Sequence, residues 1–141
     1  MKYILDSCVA LKWVLPESDS DKAEHLRDDF RDAIHELLAP DVFPIEVGNA
    51  LTRGERKRVI ETGQASLLYA DIMRTSPRLH SSLPLINRAI EISSAARCNV
   101  YDCLYVALAE REGCQLLTSD ARLLGVLQEQ FPFIIPLTLL P

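Results

Sequence analysis

Hydrophobic and polar positions along the chain follow two periods. Short apolar runs at Tyr3-Ile4-Leu5, Leu37-Leu38-Ala39, Cys114 to Thr118 and Phe133-Ile134-Ile135 read as strands, and Arg78 to His80 as a brief further one. Between them lie amphipathic stretches. Ser7 to Leu15 predicts an apolar helix ending before Pro16, and Ala23, Leu26, Phe30, Ala33 and Ile34 recur at helical spacing behind the candidate caps of Ser18 to Asp21. Val42 to Arg58 predicts a helix capped by Asp41, with Pro44 tolerated in its first turn because the first amides have no intrahelical partner. Thr62 to Arg74, Pro84 to about Arg97, Tyr101 to Glu112 and Asp120 to Gln130 complete the helices; Leu104 to Ala109 is unbroken apolar sequence, and Gly113 ends that helix. Strands of three to five residues alternating with helices imply right-handed crossovers. The expected class is α/β, a short parallel central sheet of about four or five strands flanked by helices, in one domain over residues 1–141.

Composition narrows the partners. The chain has 15 Lys+Arg against 20 Asp+Glu and a net charge of -5, which argues against coating nucleic acid by bulk electrostatics; a nucleic-acid role has to rest on a local site. Asp6 interrupts the opening apolar run too early for a signal peptide, and no stretch approaches the ~18 to 20 apolar residues of a membrane span, so a cytoplasmic protein is expected. Cys8, Cys98, Cys103 and Cys114 form no Cys-x-x-Cys pair, and His25, His35 and His80 are scattered. Reduced, packed thiols are expected rather than a zinc cage.

Four acidic residues stand in apolar company. Asp6 lies at the C-terminal end of the first strand and Asp120 just past a later one, where open α/β sheets frame their ligand crevice. Asp102 begins the most apolar helix and shares a face with Tyr105, Val106 and Ala109; Glu46 lies in Phe43-Pro44-Ile45-Glu46-Val47, one turn before Asn49. Helix capping explains Asp6, Asp102 or Asp120 taken singly, and Glu46 has Arg53 as a candidate ion-pair partner. Capping does not explain four such acids with no matching inward Lys or Arg. Two carboxylates ~5 Å apart repel by roughly 3 kcal/mol at an effective dielectric of ~20, so such a cluster requires protons or cations. Oxygen ligands without His or Cys select Mg²⁺ or Mn²⁺, and the matching chemistry is phosphodiester hydrolysis by an activated water.

Four segments then carry a family resemblance: Tyr3-Ile4-Leu5-Asp6-Ser7, Glu46-Val47-Gly48-Asn49-Ala50-Leu51, Tyr101 to Ala109, and Leu117-Thr118-Ser119-Asp120 followed by Arg122-Leu123. In this order and spacing, over essentially the whole chain, they resemble the PIN-domain ribonucleases, specifically the small VapC-type toxins of prokaryotic toxin-antitoxin pairs. The resemblance implies a PIN-like fold and an acidic, metal-binding and catalytic quartet of Asp6, Glu46, Asp102 and Asp120, supported by Ser7, Asn49 and Thr118. It further implies an Mg²⁺-dependent endoribonuclease acting on RNA, a homodimer, and control by a VapB-like antitoxin that covers the active groove. Cys8 departs from the Ser or Asn often found after Ser7, which weakens any hydrogen bond expected from that position.

Other positions carry plainer alternatives. Arg53, Arg56, Lys57 and Arg58 form either a phosphate track leading to Glu46 or a solvated helix end that complements the macrodipole. Leu11 and Trp13 read as core or dimer surface, and Gly48 suggests close approach of another backbone. Three rival functions are a haloacid-dehalogenase-like phosphatase, in which Asp-x-Asp would be needed where Cys8 stands, a non-catalytic PIN-like binding module, and a housekeeping RNA-processing nuclease. With the quartet set aside, 16 acidic residues face 15 basic ones, so the remaining surface is nearly neutral and weak RNA binding is expected without divalent cations.

Overall fold

A computed structural model describes residues 1–141. Five parallel strands form the central sheet: β1 (Lys2–Leu5), β2 (Glu36–Pro40), β3 (Arg78–His80), β4 (Gln115–Thr118) and β5 (Ile134–Pro136), in the order β3-β2-β1-β4-β5. The first strand of the chain is therefore the middle of the sheet. Ile4 and Leu5 are wholly buried there, which is why the run carries no polar alternation. The helices are α1 (Ser7–Leu11), α2 (Ser20–Arg31), α3 (Phe43–Arg56), α4 (Gln64–Met73), α5 (Ile86–Ala96), α6 (Val100–Glu112) and α7 (Ala121–Leu127). One contiguous cluster of 33 buried apolar residues joins sheet and helices. Its centre is α6, where Cys103 to Ala109 are all buried, so this helix is covered on every side as its unbroken apolar run predicts. No helix is long and apolar enough to cross a membrane. All four cysteines are free thiols, Cys103 buried and the others partly so.

Several boundaries differ from those the sequence predicts. Helix α1 stops at Leu11 rather than Leu15, because tight turns bring Trp13 back so that its indole N–H donates to Ala23 O at 2.9 Å. The ring is buried and stacks under Arg27, which settles Trp13 as core. Helix α2 ends at Arg31, since Ala33 takes φ +61° and leaves Ile34 exposed. Pro40 closes β2 from within it: β1 pairs only with residues 36–38, so the missing N–H of Pro40 costs no ladder bond to β1. Asp41 does not cap α3; its Oδ1 accepts instead from Ser82 N at 3.2 Å and Ser82 Oγ at 2.5 Å, tying β2 to the turn before α5. Pro84 sits in a short 3-10 turn (Leu83–Leu85), and α5 starts only at Ile86. Helix α7 ends at Leu127 rather than Gln130. Gly48 has open space where a Cβ would stand, so the expected close backbone approach is absent.

Candidate active site

Parallel strands deliver their following residues to one edge, and β1 and β4 are neighbours. Asp6 therefore emerges from β1 beside Thr118, the last residue of β4, with Asp6 N donating to Leu117 O at 3.1 Å. Both side chains are buried. Thr118 Oγ1 donates to Asp6 Oδ2 at 2.7 Å and accepts from Asp120 N at 3.0 Å, so one hydroxyl fixes the rotamer of the first acid and the backbone of the fourth. Asp120 Oδ1 in turn accepts from Arg122 N at 2.9 Å and Leu123 N at 3.3 Å as the cap of α7, an arrangement in which capping and site position coincide. Asp6 occupies the equivalent position before α1 but its carboxylate makes no cap bond, which leaves it aimed at Thr118.

The other two acids arrive on helix N-terminal turns. Asp102 lies in the first turn of α6, whose cap is Asn99: Asn99 Oδ1 accepts from Tyr101 N at 2.7 Å, so Asp102 is free of capping. Glu46 lies in the first turn of α3. Its partner is not Arg53, as the sequence suggests, but Tyr105, whose hydroxyl donates to Glu46 Oε1 at 2.6 Å. Tyr105 is fully buried one turn after Asp102 and is the residue that the sequence reading left out of the site. Its signal was its place on the same face as Asp102; the helix opposite it was not readable.

Electrostatics mark the four as one group. Burial raises the Asp6 carboxyl above its usual range, Thr118 and Cys8 oppose this by hydrogen bonding, and the charge of Asp120 adds to the rise. Burial lifts Glu46 to about 7, the Tyr105 bond holding it down while Asp6 and Asp102 push it up. Asp102 rises to about 6 through burial, then through Asp6 and Asp120, against Arg122. Tyr105 itself is driven well above the usual phenol value by burial and by Asp6 and Glu46, so it stays a donor. Cys8 contacts Thr118 Oγ1 at 3.5 Å and Ser119 N and Oγ at 3.4 Å each, and burial beside Asp6 pushes its thiol to about 12. The thiol is a weak, neutral hydrogen-bonding neighbour rather than a nucleophile.

Carboxylate oxygens, without His or thiolate, suit a hard divalent cation, and their mutual repulsion gives them a reason to take one. No three His, Cys, Asp or Glu side chains lie close enough together to hold one metal ion between them.

A groove of about 450 Å³ opens beside Glu46, lined by Ile45, Glu46, Asn49, Arg53, Asn99 and Tyr101. A larger cavity of about 510 Å³ lies at the α3 to α4 turn, holds none of the four acids, and contains Arg58. The basic cluster is thus divided: Arg53 lines the groove beside Glu46, Arg58 lines the other cavity, and Arg56 and Lys57 are exposed and border neither.

Comparison with known proteins agrees with this architecture. The chain is 28% identical over 137 residues to ribonuclease VapC3 of Pyrobaculum aerophilum, spanning 96% of this chain and 98% of that protein. The crystal structure of PAE2754 from Pyrobaculum aerophilum superposes with a TM-score of 0.73 at 19% identity, over 98% of this chain and 85% of that one. VapBC2 from Rickettsia felis, solved bound to a DNA fragment from its promoter, matches with a TM-score of 0.61 at 13% identity, over 96% and 97% of the two chains. Residues 3–126, from β1 into α7 and so across all four acids, match the model of the PIN domain. By that match and by the parallel sheet with acids gathered at its C-terminal edge, this chain belongs to the PIN-domain family.

Proposed function

We propose that this protein is a metal-dependent endoribonuclease and the toxin of a toxin-antitoxin pair. The observation that carries the reading is that Thr118 ties the Asp6 carboxylate to the backbone of Asp120, while Glu46, held by Tyr105, and Asp102 lie near enough for the charge of Asp6 to raise both. The similarity over nearly the full chain to a ribonuclease of the VapC type supports the activity, and the likeness to VapBC2 supports a VapB-like protein partner.

In this reading Asp6, Glu46, Asp102 and Asp120 hold Mg²⁺ or Mn²⁺. When bound there, such a cation would supply an activated water for phosphodiester hydrolysis and offset developing negative charge. The chain's own residues set the geometry: Thr118 keeps Asp6 and Asp120 in register, and Tyr105 fixes Glu46. Asn49 and Arg53 lie on the substrate side of Glu46. The exposed Leu83, Ile86 and Ile90, at helical spacing, supply an apolar face for a homodimer.

The test is cleavage of an RNA pool by purified protein in Mg²⁺ and in chelator. Cleavage in Mg²⁺ alone, abolished in Asp102→Asn with the fold retained, is the expected result. Cleavage by that variant at the wild-type rate overturns the mechanism, and phosphatase activity with inert RNA overturns the function.

A further inference from the structure

Of one Trp, four Tyr and four Phe in the chain, only Tyr101 is exposed. It is 54% exposed, immediately precedes Asp102, and lines the groove that also contains Glu46. An aromatic side chain left in water beside a buried acidic group does not serve the core. Its backbone is nonetheless fixed, because Asn99 Oδ1 holds Tyr101 N at 2.7 Å at the start of α6. The ring is carried on a rigid helix terminus.

The surrounding groups are unengaged. Arg53 is exposed and makes no ion pair. The Asn49 carboxamide has no protein partner, since only the backbone carbonyl of that residue is used, by Thr52. Asn99 spends its oxygen on the cap and keeps its amide N–H groups. Ile45, 72% exposed, adds an apolar contact in the same groove. One face thus offers a stacking surface, a cation, and amides able to meet both donor and acceptor edges. The volume of about 450 Å³ falls within the ~300 to 1,000 Å³ of small-molecule sites.

We propose that this groove is a nucleotide subsite in which the ring of Tyr101 stacks on one base flanking the scissile phosphate, Arg53 meets a backbone phosphate, and Asn49 and Asn99 read the base edge. The subsite rests on the endoribonuclease reading. It makes Tyr101 and Arg53 substrate-binding groups, and it gives this protein a preference at one nucleotide position on single-stranded RNA. Arg56, Lys57 and Arg58 take no part in it.

The experiment uses one RNA that the wild-type protein cuts at a single position, prepared with an abasic ribonucleotide at each flanking position in turn. Removing the base at one position is expected to lower wild-type kcat/KM roughly tenfold, the scale of one base-aromatic stack. Tyr101→Ala is expected to lose a similar factor on intact RNA and to be indifferent to that abasic position, while Tyr101→Trp regains the sensitivity. Arg53→Ala should raise KM and flatten its salt dependence. Thermal melting of each variant confirms folding, which exposed positions tolerate. Losses from Tyr101→Ala and the abasic position that multiply independently overturn the subsite. Unaltered cleavage by Tyr101→Ala also overturns it, and leaves the groove to a protein segment. If the wild-type protein cuts no RNA in Mg²⁺, the endoribonuclease reading falls first and the subsite with it; cleavage without the Tyr101 coupling removes the subsite alone.

Discussion

The hydroxyl of Tyr105 controls how readily Glu46 ionises. Its bond to Oε1 favours the carboxylate, whereas burial and the neighbouring acids favour the protonated form and prevail, leaving Glu46 at about 7. Tyr105→Phe removes the one stabilising donor and moves the group higher. The acidic limb of the pH-rate profile is then expected to shift to higher pH, and the rate at neutral pH to fall about 10- to 100-fold. A variant with an unshifted acidic limb contradicts this role. Thr118→Val deprives Asp6 Oδ2 of its buried donor and Asp120 N of its acceptor. Urea denaturation at pH 7 should register a loss of about 1–3 kcal/mol. At this scale the four acids stand out in the sequence because carboxylates in apolar runs are conspicuous, whereas Thr118 stands out only through the family resemblance. The sequence did not reveal Tyr105, because a tyrosine in a buried helix is ordinary until its partner, 59 residues away, is known.

Helix beginnings deliver the site. Asp102 is available because Asn99 caps α6 in its place, whereas Asp120 caps α7 through one oxygen and keeps the other for the site. Periodicity could show that each acid stood near a helix start but not which residue took the capping bond. It placed all five strands and seven helices, and erred where tertiary contacts override local pattern, as at Leu11, where Trp13 turns back to Ala23. Two glycines separate local propensity from backbone need. Gly48 lies within α3 with open space at its Cβ position, so Gly48→Ala should stabilise by ~0.5–1 kcal/mol. Gly113 ends α6 at φ +64°, so Gly113→Ala should destabilise by ~1 kcal/mol. Paired melting curves check both signs.

The whole molecule holds its acids against their charge. Glu46 and Asp102 keep protons up to about pH 7 and 6 when folded, but only to their ordinary values of 4.5 and 3.8 when unfolded. The folded state therefore binds more protons between these limits. The stability these groups contribute is fully present below about pH 4 and is lost as pH rises through 6 to 7. Without divalent cations Tm should fall across that window, and Mg²⁺ should restore it at the upper end; a Tm insensitive to both contradicts the linkage. Ile90→Glu places a charge on the exposed apolar face of α5 and should yield a monomer by size-exclusion chromatography if that face joins two copies. The sheet order carries one more consequence. Its central strand is made first, yet β4, which must pair with it to bring Thr118 and Asp120 to Asp6, comes more than a hundred residues later. A nascent chain still short of residue 120 cannot bring its acids together, so a ribosome completes most of this protein's translation before that edge of the sheet exists.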